Sequence, residues 1–138
     1  GTLDVGGAIS RDGVAGGIFV PMTPTNLTDT GSTVWSGVSR AAGTYTFDVS
    51  LAANGSVPAD AVAVAVMGTF TWTNANNATY ATIQYPSAAY SIVARAIGSA
   101  IGSDVAGVVR INSSGQFTVT INNATSNTSL LRIVGYYI

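Results

Sequence analysis

The feature that most constrains this chain is its alternation. Tyr45, Phe47, Val49 and Leu51 occupy one parity of a run whose other parity is Thr44, Thr46, Asp48 and Ser50. Strand side chains point alternately to opposite faces, so this pattern predicts a strand with one buried and one wet face. The period recurs: Val62, Val64, Val66, Phe70 and Trp72 share one parity, with Ala61, Ala63, Ala65, Met67, Thr69, Thr71 and Thr73 on the other. Gly68 in mid-run marks a bulge or bend. The alanine half is apolar on both sides and predicts a central or covered strand, whereas the threonine half has one wet face. Ala81, Ile83 and Tyr85 alternate with Tyr80, Thr82 and Gln84. Val109 and Ile111, then Phe117, Val119 and Ile121, flank Ser113-Ser114-Gly115 and predict a hairpin, with Arg110, Asn112, Thr118 and Thr120 facing the other way. Leu130 to Ile138 is apolar on both parities apart from Arg132, which predicts a last strand covered on both faces. Residues 88–101 fit a helical stripe and period two alike, and their β-branched and aromatic content favours strand. About eight strands at spacings of roughly 8–12 residues predict an all-β fold, a jelly-roll-like antiparallel β-sandwich.

Three stretches divide the chain. Residues 1–17 are glycine-rich and short in period, with Leu3, Val5 and Ile9 alternating against Asp4, Gly6, Ala8 and Ser10 before a turn at Arg11-Asp12-Gly13. So short a segment cannot bury its own apolar side and must lean on the main domain or on copies of itself. Residues 18–31, with Pro21-Met22-Thr23-Pro24-Thr25-Asn26, are expected to be a linker or loop, because both prolines lack a donor. Residues 32–138 form the sandwich. The start has no charged n-region of a signal peptide and reads as a fragment of something longer.

Charge narrows the function. Only 8% of residues are charged although 47% are hydrophobic, and an average soluble protein has roughly 25% charged. All cations are arginine, all anions aspartate, and there is no Lys, Glu, His or Cys. Nucleic acid is not expected as a partner, because binding a duplex needs clustered cations. The longest apolar run, Ala61 to Gly68, is far short of the roughly twenty residues of a membrane span. Disulfides and thiolate metal sites are excluded. A surface this poor in ions stays soluble either under neutral polar cover or by burying its apolar parts between subunits.

No catalytic, metal or cofactor site is expected. Without His, Cys or Glu there is no Ser–His or Cys–His nucleophile system. A carboxylate-pair glycosidase would need two aspartates together, whereas Asp29, Asp48, Asp60 and Asp104 fall in loops or at outward strand positions and suit solvated or turn roles. No D-x-D-x-D-G calcium loop is present. The binding candidate is an aromatic-plus-amide cluster, Trp72, Asn74, Asn76, Asn77 and Tyr80, at a strand end and the loop after it. Aromatic faces stack on sugar rings and amides bond their hydroxyls, which suits a glycan. The competing reading puts Trp72 and Tyr80 in the core or at a subunit seam, with the asparagines in turns.

Two groups of residues carry a resemblance. Leu3-Asp4-Val5-Gly6-Gly7-Ala8-Ile9 looks like the L-x-V-x-G-x-I units of trimeric phage fibre shafts. Thr33-Val34-Trp35-Ser36-Gly37, the run from Ala42 to Ser50, Val57-Pro58-Ala59-Asp60-Ala61-Val62-Ala63-Val64 and the closing Leu131 to Ile138 resemble a tail-associated phage domain. Together these cover about a third of the chain, and residues 74–107 carry none of the likeness. The resemblance implies a homotrimeric all-β terminal domain on a virion appendage, a tail fibre, spike or needle, preceded by a shaft-like segment and touching a host-surface glycan or protein. It brings no ligand-binding residues with it. The rival expectations are a monomeric carbohydrate-binding module or lectin, and a viral capsid or head-decoration protein.

Overall fold

The computed structural model describes residues 10–11, 14–15, 17–72, 79–86, 91–95, 101–122 and 125–138. The alternating runs become strands β1 (Ser10–Arg11), β2 (Val14–Ala15), β3 (Phe19–Asn26), β4 (Ser36–Arg40), β5 (Gly43–Asp48), β6 (Ala63–Trp72), β7 (Tyr80–Gln84), β8 (Ser91–Arg95), β9 (Ile101–Arg110), β10 (Gln116–Ile121) and β11 (Ser126–Tyr137). Among the described residues the helical content is a single 3-10 turn, Ala52–Asn54. β1 and β2 pair with each other, Arg11 opposite Val14. The rest form two antiparallel sheets, β5-β10-β7-β8 and β3-β11-β6-β9, with β4 also paired to β11. From β4 onward every connection except that from β7 to β8 carries the chain from one sheet to the other. That wrapping is the jelly-roll form of a β-sandwich.

The core lies between the sheets. Val64, Val66, Phe70 and Trp72 of β6 meet Phe47, Ile83, Phe117, Val119 and Ile121 of the other sheet, all buried. Rings cross the gap in sequence: Phe117 stacks on Phe47 at 5.3 Å, Phe47 meets Trp35 at 5.0 Å, Trp35 meets Phe70 at 6.3 Å, and Phe70 stacks on Trp72 at 6.2 Å. Rings at such separations contribute beyond their buried area. β11 keeps its inner side apolar by changing parity. Leu131 and Ile133 face the core, a bulge follows between Ile133 and Gly135, and Tyr136 and Ile138 then pack inward.

Several expectations are corrected. Residues 19–26 are an edge strand, not a linker, because β3 pairs only with β11 and its prolines occupy an edge where a donor can be spared. The turn at Ser113-Ser114-Gly115 is tight, since the Asn112 side chain accepts from the amides of Ser114 and Gln116 at 3.0 and 2.9 Å. Its flanking strands, however, do not pair with each other: β9 joins β6, while β10 joins β5 and β7. The turn is therefore a corner between sheets. Leu51 and Val62 stand just outside their strands and are half exposed rather than in the core. Finally, the outer side of β11 is not covered within the described chain: Tyr137 and Leu130 remain partly open.

Candidate functional site

The loop between β3 and β4 holds the one ion pair among the described residues. The Leu27 amide donates to Leu131, the Leu131 amide to Trp35 and the Trp35 amide to Leu27, at 2.9, 3.1 and 2.8 Å. This fixes both ends of the loop on β11. Within it, Asp29 is buried, which corrects the solvated role expected for it. Its carboxylate accepts from the Thr33 amide at 3.0 Å and the Trp35 indole at 3.0 Å, and meets the Arg40 guanidinium at 3.3 Å. Arg40 lies over Tyr45, 4.3 Å from the ring centroid. The fully buried Asn54 donates to the carbonyls of Thr28 and Asp48 and accepts from the Thr28 amide. The Thr30 amide bonds Thr46 on β5. The knot therefore fastens one sheet to the other, and its carboxylate is fully engaged in structural bonds. No group of three or more metal-ligating side chains occurs among the described residues.

Of the aromatic-plus-amide cluster, the structure describes Trp72 and Tyr80. Trp72 is fully buried, stacked on Phe70, so the core reading of the two is the one found. Its indole nitrogen has no hydrogen-bond partner among the described residues. Asn74, Asn76 and Asn77 lie outside the described residues. Tyr80 is half-buried on the outer side of β7, with the Arg95 guanidinium 5.9 Å from its ring centroid.

The register then defines two outer faces that the sequence alone did not separate. On the β3-β11-β6-β9 sheet, one end rung reads Phe19, Tyr137, Ala63, Arg110, and the next Pro21, Gly135, Ala65, Val108. The third reads Asn26, Arg132, Met67, Ala106, and the polar end continues with Leu130, Thr69, Asp104 and then Thr128, Thr71. Phe19 packs on Tyr137 at 5.1 Å and its ring covers Gly135, where a Cβ would collide with it. Phe19, Met67 and Val108 are 44%, 44% and 53% exposed.

The opposite sheet is paved differently. Its rungs read Asp48, Gln116, then Thr46, Thr118, Gln84, then Thr44, Thr120, Thr82, Val93, then Tyr80, Arg95. Thr44 and Thr120 share a hydroxyl hydrogen bond of 3.0 Å across strands, and Thr82 donates to the Gln84 side chain at 3.1 Å. Val93 is the one large exposed hydrophobe on this face among the described residues.

A shallow groove of about 430 Å³ crosses the middle of the apolar sheet's outer face, lined by Met67, Gly68, Thr69, Asp104, Leu130 and Arg132 among others. Asp104 accepts from the Thr69 hydroxyl at 2.7 Å, and the Arg132 Nε donates to the Asn26 side chain at 2.8 Å. The sequence matches no model of a known protein family, and no curated protein is significantly similar to it.

Proposed function

We propose that this chain is a structural, non-catalytic domain of a bacteriophage tail fibre, spike or needle, which assembles as a homotrimer on the virion and contacts a receptor or glycan on the host surface. The observation that carries this reading is the outer face of the β3-β11-β6-β9 sheet. Its central field is apolar, and the described residues leave Pro21, Met67, Ala106 and Val108 exposed and Ala65 partly open. Contiguous apolar patches of more than a few hundred Å² mark interaction sites, and symmetric association is the common way to bury one. The low ionic content of the surface points the same way. The jelly roll serves viral shell proteins and lectins alike, so the fold is compatible with the reading without choosing it. The segments that resemble a phage tail domain supply Trp35, β5, the start of β6 and the end of β11, and thus speak to the scaffold rather than to a ligand.

Sedimentation at micromolar concentration tests the assembly. The expected mass is about three times 13.9 kDa, and a single 13.9 kDa species would refute it. A second reading, a monomeric lectin, draws support from Tyr80 and Arg95 at the margin of the hydroxyl-rich face. Glycan binding by a 13.9 kDa particle, lost in Tyr80→Ala, would establish that alternative.

A further inference from the structure

We propose that copies of this chain meet through the outer face of the β3-β11-β6-β9 sheet, with Asp104 of one copy paired to Arg132 of the next. The inference rests on the self-association reading above and names its seam. Two observations select a second copy as the occupant. The first is charge. Asp104 lies on β9 and Arg132 on β11, two strands apart across the groove, because Asp104 is opposite Thr69, Arg132 is opposite Met67, and Thr69 and Met67 both belong to β6. Neither forms an ion pair among the described residues, whose sole such pair is Asp29 with Arg40. Each is held pointing by one neutral hydrogen bond, Asp104 by Thr69 and Arg132 by Asn26. One face thus carries Asp104 on its β9 side and Arg132 on its β11 side, at heights one rung apart, while Arg110, also on β9, stands three rungs from Asp104 with its guanidinium over Tyr85. When copies surround an axis running along this face, the β9 side of one meets the β11 side of its neighbour, and every such contact sets the two charges against each other. The same contact gathers Met67 and Ala65 of the central strand β6 near the axis and lays Val108 of one copy against the β11 side of the next.

The second observation is size. Four strands and five rungs make a surface of roughly 19 by 30 Å, on the order of 600 Å², near the roughly 800 Å² that each partner of a stable complex buries. The hydroxyl-paved face of the other sheet has comparable width but no such apolar field, and contributes no seam.

Charge reversal tests this on the whole chain by sedimentation equilibrium. Asp104→Arg and Arg132→Asp are each expected to weaken association at least tenfold, and the double variant to recover it. Val108→Lys should disrupt assembly, whereas Thr120→Lys on the opposite face should leave it intact. Fluorescence of the buried Trp35 and Trp72 reports that each variant is folded. If the parent chain assembles and the folded reversals and Val108→Lys assemble equally well, the seam is elsewhere and the self-association reading survives. If Thr120→Lys disrupts assembly and Val108→Lys does not, the opposite sheet is the seam. A parent chain that sediments at 13.9 kDa removes both.

Discussion

The two outer faces of this sandwich enclose one core and have almost opposite chemistry. One presents threonine and glutamine in ordered rungs, the other alanine, valine, methionine and an aromatic pair. Both belong to antiparallel sheets of similar width, so secondary structure does not account for the difference. What differs is the chemistry that each face offers to water. Threonine combines a strand-favouring branched carbon with a hydroxyl that water can satisfy, and it lets a sheet face solvent without charge. The apolar face has no such cover, and its area is of the size that contacts between chains bury. On the proposed reading, a chain with few ions uses two routes to stay dispersed, hydroxyl cover on one side and burial against sister copies on the other.

The comparison can be broken or sharpened by substitution. The largest effect is expected at the knot joining the two sheets. Asp29→Ala strands the Arg40 guanidinium and the Trp35 indole, and should cost about 3–5 kcal/mol of stability, the usual loss when one partner of a buried pair is removed. Urea unfolding measures it, and a change below about 1 kcal/mol would mean the sheets are held together without the knot. Asn54→Ala removes a buried amide with three hydrogen bonds, leaves the Thr28 amide and two carbonyls unpaired, and is expected to cost about 1–3 kcal/mol. Val108→Thr makes one face more like the other. Folding stability of the isolated subunit should stay within about 0.5 kcal/mol, while the dissociation constant of the assembly rises roughly tenfold, as loss of a buried valine contact implies. Equal effects on folding and association would erase the distinction between the faces. The smallest effect belongs to Thr44→Val, which removes the exposed hydroxyl contact with Thr120 and should move the unfolding midpoint by less than the equivalent of about 0.5 kcal/mol.

Much of this architecture was legible in the sequence, for a definite reason. In β5, β6 and β10 a period of two states which side chains enter the core, and Phe47, Val64, Val66, Phe70, Phe117 and Val119 are buried as that period requires. Pairing was less legible than orientation. The Asn112 turn is a local structure, but whether β9 and β10 pair with each other depends on distant strands, and here each finds its partner elsewhere. β3 departs from the loop expectation because a proline forbids a central strand but not an edge. The Asp29 knot has no local signature at all: Asp29 is joined to Arg40, and Thr28 to Asn54 across 26 positions, by folding alone. The expected site suffered from the same ambiguity. An aromatic residue at the end of a strand serves stacking on a sugar or packing in a core equally well, and parity assigned Trp72 to the inner row with Phe70 before any ligand could be considered. That the alanine parity of β6 would face outward could be read from its partner row of valines. That Ala63 would be buried on this side, Ala65 partly open and Met67 exposed depends on the strands that flank β6.

The reciprocal hydrogen bonds between Ile18 and Ile138, at 3.1 and 3.0 Å, tie the first and last strands of the sandwich together at one pole. Because β3 and β11 run antiparallel from that point, a force pulling residue 18 away from residue 138 opens their ladder like a zipper, one rung after another. Each rung then yields alone, at about 1 kcal/mol apiece, instead of sharing the load as strands in shear do. The domain is therefore expected to yield at low force when it is pulled between residues 18 and 138.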